Sequence, residues 1–189
     1  MCALPRTVAV VTLVNLILGG LAATAAAAPT RAQVEPLLRG YERAFGRADL
    51  KRLGPGTERV LMAIHDDRQA DPMVRVRALA ALGHAEGPAV QAFLAAVVRR
   101  HAGARAGLGT LFLRRAASGL LAVGGAAAID AVTPLLLHPA ADVRAEVGRA
   151  LGRTGAPRAR VALERRLRVE RAPVVRAVLE REVRRLRGR

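Results

Sequence analysis

The chain is poor in the residues that most often carry chemistry. Its 189 residues include one cysteine (Cys2), one serine (Ser118), one asparagine (Asn15), one tyrosine (Tyr41), one lysine (Lys51) and no tryptophan. A lone cysteine at position 2 excludes an internal disulfide and a thiolate metal site in the remainder. It also lies upstream of the first apolar run, whereas a lipid-modified cysteine would sit at the end of it. Aromatic residues make up 2% of the chain, so any core must be aliphatic. Stacking platforms for single-stranded nucleic acid are missing. What is abundant is Ala, Leu, Val and Arg, a set that suits close helix packing better than a sheet of bulky β-formers.

Few residues are placed as catalysts or ligands. Ser118 lies beside Gly119 and Leu120 with no nucleophile-elbow context, and a nucleophile needs a base within reach. It is read as a small interhelical residue. The histidines, His65, His84, His101 and His138, show no helical metal-ligand spacing. His84-Ala85-Glu86 has the form of half a zinc-deaminase signature, but the cysteine half cannot exist here. His65-Asp66-Asp67 is the most polar local cluster and is expected at a helix C-terminus opening into a solvated loop. The run from Gly103 to Thr110 is glycine-rich and basic but lacks Gly-Lys-Ser/Thr, so it is expected to be a flexible loop. No catalytic residue, cofactor site or metal site is expected.

The first residues have a character of their own. A start bearing Arg6 leads into an apolar run from Val8 to Leu21, then Ala22-Ala23-Thr24-Ala25-Ala26-Ala27-Ala28 and Pro29. A charged beginning, an apolar middle and an A-x-A exit compose a secretory signal peptide. Cleavage is expected after Ala27, because cutting after Ala28 would set Pro29 against the scissile bond. Residues 1–27 are therefore read as a leader to the periplasm or the exterior. An uncleaved membrane anchor is the alternative, since Val8 to Ala28 has about the length of a bilayer span.

One phrase recurs beyond it: an aliphatic residue, Arg, then apolar positions three and six to seven residues on. It appears as Val74-Arg75 with Ala78, Ala81 and Leu82, and as Val143-Arg144 with Val147, Ala150 and Leu151. Gly83 and Gly152 close these two copies, where a left-handed residue could end a helix. Val175-Arg176 with Leu179 and Val183 forms a third copy, and Leu113-Arg114 with Ala117, Leu120 and Leu121 a fourth, weaker one. Starts at 74, 113, 143 and 175 have the spacing of helix–turn–helix repeats. Asp71-Pro72 and Ala172-Pro173 supply helix starts. Second helices are expected from near Pro88, from Ala126 to Leu137, and from near Pro157.

The phrase Val-Arg-x-x-Ala-x-x-Ala-Leu-Gly, preceded by Asp-Pro and followed by a Pro-Ala-Val helix, resembles the HEAT repeat, in the short bacterial type also found in phycobiliprotein lyases. The resemblance implies an all-α, right-handed α-solenoid of HEAT-like helix pairs over residues 57–189, preceded by a capping helix and linker over 28–56. It also implies that Arg75, Arg114, Arg144 and Arg176 are structural, joining neighbouring units near helix ends. Second helices would line the concave face. In function it implies a protein-interaction scaffold without catalysis. A lyase-like enzyme is a remote alternative resting on repeat kinship alone.

Charge is the remaining feature. Without Arg6 the chain has 30 basic and 15 acidic residues. From Asp142 to Arg189 there are 15 arginines against 6 acids. Arg158, Arg160, Arg165, Arg166, Arg168 and Arg171 form the longest basic series, a candidate surface for an anion or an acidic partner. Such a surface makes anionic lipid or an envelope polymer the alternative partner to a protein. Nucleic acid is disfavoured by export and by the missing aromatics. The competing reading is a solvated helix face with Arg176–Glu180 and Glu180–Arg184 pairs. Near them, Leu135-Leu136-Leu137 closes an otherwise apolar second helix, from which an exposed strip could form a docking groove.

Overall fold

The computed structural model describes residues 27–40 and 44–188. Most of the expected leader, and Tyr41, lie outside the described residues. Within them the chain is helical throughout, with no strand.

Two short helices come first, α1 (Arg31–Arg39) and α2 (Arg47–Leu53). The Gln33 side chain accepts from the Thr30 backbone N–H at 2.8 Å, satisfying one of the donors a helix start leaves open. Val34 and Leu38 turn inward from α1 onto α3 (Thr57–Asp66) and α4 (Pro72–Leu82). Arg77 of α4 reaches back to the Leu38 carbonyl at 2.8 Å, covering the open end of α1.

The stack proper continues with α5 (Pro88–His101), α6 (Gly107–Gly124), the short α7 (Ile129–Val132), α8 (Ala141–Thr154), α9 (Pro157–Leu167) and α10 (Pro173–Arg187). Local chemistry accounts for the starts. Asp71 accepts from the Met73 and Val74 N–H groups at 2.7 and 3.1 Å, and Pro72 follows where a missing N–H costs nothing. Proline likewise opens α5, α9 and α10.

Helices α4, α6, α8 and α10 pack one against the next in an unbroken series. α3, α5, the α7 segment and α9 form a second layer; α3, α5 and α9 lean most heavily on the helix that follows, and the α7 segment is shared between α6 and α8. The result is an α-solenoid of four helix pairs with α1 and α2 at its head. The layer of first helices is the tight one, while the α7 segment and α9 touch each other only sparingly.

Glycine makes that tight layer possible. A methyl group on Gly83 would meet the Gly119 Cα at 3.1 Å. One on Gly148 would meet the Leu179 side chain at 2.9 Å, and one on Gly152 would overlap the Glu182 carboxylate. This corrects the reading of Gly83 and Gly152 as left-handed helix ends. Gly83 is right-handed, and Gly152 lies inside α8, which ends instead at Gly155 with φ +72°. The two residues are small because a neighbouring helix passes close by. Ala78, Ala117 and Ala150 are buried in the same layer.

Two further expectations change. The helix expected over 126–137 is a broken rod: a 3-10 turn (Gly125–Ala128), then α7, then a second 3-10 turn (Thr133–Leu137). Pro134 supplies no N–H and fixes its own φ, and the Thr133 hydroxyl takes the Ile129 carbonyl at 2.8 Å. The 103–110 run is not wholly a loop either, since Gly107 to Thr110 form the first turn of α6. The stretch Gly107–Leu137 is long and apolar enough to cross a bilayer, with a mean hydropathy of 1.9. Here Phe112, Leu113, Leu120, Leu121 and Ile129 are buried in the stack.

Candidate interaction groove

The recurring arginines bind across repeat boundaries. Arg75 Nε donates to the His65 carbonyl at 2.8 Å, and the His65 ring meets the Arg75 carbonyl through Nδ1 at 3.3 Å. Arg114 donates to Asp142 at 2.9 Å. Arg144 donates to the His138 and Pro139 carbonyls, both at 2.8 Å. Arg176 donates to the Leu167 carbonyl at 3.3 Å and pairs with Glu180 at 3.1 Å. Three of the four therefore satisfy carbonyls at the end of the preceding second-layer element, groups that a helix leaves without internal partners. Glu180 pairs with Arg176 and not with Arg184, so the expected i,i+4 ladder has one rung.

The His65-Asp66-Asp67 cluster does close α3 and opens into an exposed loop, as expected, but the His65 ring itself is not solvated. His65 is 1% exposed, its ring edge-on to Phe112 at 4.8 Å and to Phe93 at 5.8 Å. Burial lowers its pKa from 6.5 to about 4, which leaves it neutral. The reason is the fourteen-residue α5, which lays Phe93 over the end of α3 and removes the solvent that the Asp66-Asp67 loop suggested. Among the described residues, no three His, Cys, Asp or Glu side chains gather as metal ligands would. Ser118 donates to Glu146 on α8 at 2.6 Å.

The C-terminal arginines do not form one face. Arg158 is bound to Asp130 across the α7–α9 gap at 2.6 Å. Arg166 is bound to Glu170 at 2.7 Å. Arg160 is half-buried, and its Nε is buried with no hydrogen-bond partner. That leaves Arg165, Arg168 and Arg171 exposed and in no ion pair among the described residues. The cause is the helical period, which spreads consecutive positions around α9.

Glu170 organises this corner, a role not foreseen from its position. Arg144 binds it in a fork, Nε to Oε2 and Nη2 to Oε1, both at 2.9 Å. The Ala172 N–H also donates to Oε1 at 2.9 Å. With Arg144 first, then Ala172 and Arg166, these donors hold its pKa down at about 2 against an ordinary 4.5. One carboxylate thus ties the start of α8, the end of α9 and the start of α10. The available signal was that Glu170 is the only acid between Arg165 and Leu179. Nothing in the order of residues names Arg144 as its mate.

Above this latch lies a groove of about 700 Å³ between the α7 segment and α9. Buried Ile129 and Leu136 form its floor. Leu137, Val161 and Val169 form its walls, 73%, 52% and 63% exposed. They are three of the five large apolar side chains left exposed among the described residues. The exposed strip therefore spans two repeats, and the leucine run supplies only one wall.

Residues 111–184 match the family model for HEAT repeats. This segment is built of HEAT repeats. The matched HEAT segment runs from α6 into α10 and contains the whole groove. The copy of the phrase at Val74 lies outside it, while the weaker one at Leu113 lies inside. The match is to HEAT repeats in general and does not extend to the narrower likeness to phycobiliprotein-lyase repeats. No curated protein matches the chain, and no solved structure does.

Proposed function

We propose that this chain is an exported scaffold that holds a protein partner in the groove between the α7 segment and α9. HEAT repeats are commonly interaction scaffolds and typically non-catalytic. The observation that carries the reading is the concentration of exposed apolar side chains, Leu137, Val161 and Val169, in one walled groove. Most exposed apolar residues are scattered singly on a surface; gathered ones mark contact sites. The Arg144–Glu170 latch keeps both walls in register, so little order has to be gained on binding. Export is supported by the charged start, the Val8 to Leu21 run and the small residues before Pro29.

Affinity capture from envelope extract tests the reading, with the wild-type chain and Val161→Asp compared at low and moderate salt. A protein retained at both salt concentrations by the wild type and lost by the variant supports it. The second reading, adhesion to an anionic surface, is favoured by exposed Arg165, Arg168 and Arg171. Under that reading retention falls with salt and ignores Val161→Asp.

A further inference from the structure

The lining of the groove carries four charged side chains, Asp130, Arg158, Arg165 and Arg166. Three are already satisfied: Asp130 and Arg158 by each other, Arg166 by Glu170. Arg165 alone among them forms no ion pair in the described structure. It stands on α9 one turn after Val161, and Val169 follows in the turn just past the end of that helix, so the wall presents an apolar group, a cation and an apolar group in that order along the chain. From Val161 to Arg165 is about one turn of helix, roughly 6 Å.

We propose that the groove receives an acidic amphipathic helix of a partner protein, one that places a carboxylate between two apolar side chains a turn away on either side. The inference rests on the reading of the groove as a protein-contact site and names the occupant. Two features of the wall select it. Val161 and Val169 with Leu137 opposite offer apolar contact on both sides, the arrangement in which an amphipathic helix docks into a groove. Arg165 between them supplies an unspent fork for one carboxylate. A second copy of this chain fits poorly, because the segment from Asp142 onward carries 15 arginines against 6 acids and would face its own kind.

The test is a fluorescence-anisotropy titration of the purified protein with three labelled peptides of about four helical turns on an alanine–glutamine background. The first carries Leu, Glu and Leu one turn apart, the second Lys in place of Glu, the third Ser in place of both Leu. The first is expected to bind, the second about threefold to fivefold more weakly, and the third about tenfold more weakly or worse. Arg165→Glu is expected to reverse the order of the first two, which a merely structural arginine would not do. Val161→Asp, at a half-exposed position, is expected to abolish binding of both and leave the helical circular-dichroism spectrum unchanged.

Equal binding of the Glu and Lys peptides, no reversal with Arg165→Glu, or indifference to Val161→Asp would each overturn the proposal. So would binding to phosphatidylglycerol vesicles that survives Val161→Asp, which makes the surface a membrane contact. A dimer seen by sedimentation and lost in Val161→Asp would do the same. If no peptide binds but the wild type still captures an envelope protein that Val161→Asp loses, the occupant's chemistry is wrong and the groove reading stands.

Discussion

Arg144 grips Glu170 with both arms of its guanidinium, across 26 residues of chain, with side chains only 11% and 1% exposed. Each has further partners: Arg144 the His138 and Pro139 carbonyls, Glu170 the Ala172 N–H and Arg166. A buried pair is costly to break because the survivor is left unpaired away from water. Glu170→Ala is therefore expected to lower stability by about 3 kcal/mol. Urea unfolding checks this as a lower midpoint at unchanged slope. A loss below about 0.5 kcal/mol would mean that Glu170 does not organise the corner.

The same carboxylate predicts an acid limb. Its pKa in the folded chain is lowered to about 2 from 4.5, so folding favours the ionised form. That contribution is complete above about pH 4.5 and disappears as pH falls toward 2, about 3 kcal/mol in all. In Glu170→Gln this part of the stability–pH curve should be shallower, with Glu35, Asp67, Asp71 and Glu146, whose pKa values are also lowered, keeping some slope. A wild-type slope retained in the variant would assign the acid limb to other carboxylates.

His65 acts in a higher window. Burial lowers its pKa from 6.5 to about 4, so the fold favours the neutral ring. Its contribution is complete above about pH 6.5 and is lost as pH falls through 4. His65→Leu, which keeps an apolar group against Phe93 and Phe112, should flatten the melting temperature between pH 6.5 and 4. An unchanged slope there would show that His65 takes up its proton without opposing the fold.

Gly152 tests the packing of the first-helix layer. At an exposed helix position, Gly→Ala stabilises by about 1 kcal/mol. Here the added methyl would overlap Glu182, whose carboxylate pairs with Arg185 at 2.9 Å. Gly152→Ala is expected to destabilise by about 1–3 kcal/mol, read from thermal melting. A stabilised variant would show that α8 and α10 yield easily at this point.

N-terminal sequencing of the protein recovered outside the cytoplasm tests the leader. The expected first residue is Ala28. A chain still beginning at Met1 and found in the membrane fraction would favour the anchor reading.

Much of the fold was legible because helix boundaries are set locally. Asp71 caps α4 through its own neighbours, and the prolines at 72, 88, 157 and 173 open helices wherever they fall. The errors came where a distant element intervened. Gly152 looked like a helix end but is a contact with Glu182, and His65 looked solvated but lies under Phe93 and Phe112. The segment from Ala126 to Leu137 departs from a single helix for a local reason, the Pro134 ring within it.

The candidate site was legible only in its composition. Arginine abundance was plain, but which arginines are free depends on carboxylates about one repeat away, as with Arg158 and Asp130 or Arg144 and Glu170. Periodicity and capping act within a few residues, so the order of residues alone determined most helix starts, their repetition and the resemblance to HEAT repeats. Burial and ion pairing act across whatever the stacked helices bring together. Tertiary structure therefore decided that Arg166 is spent, that Arg165 is not, and that Leu137, Val161 and Val169 share one groove.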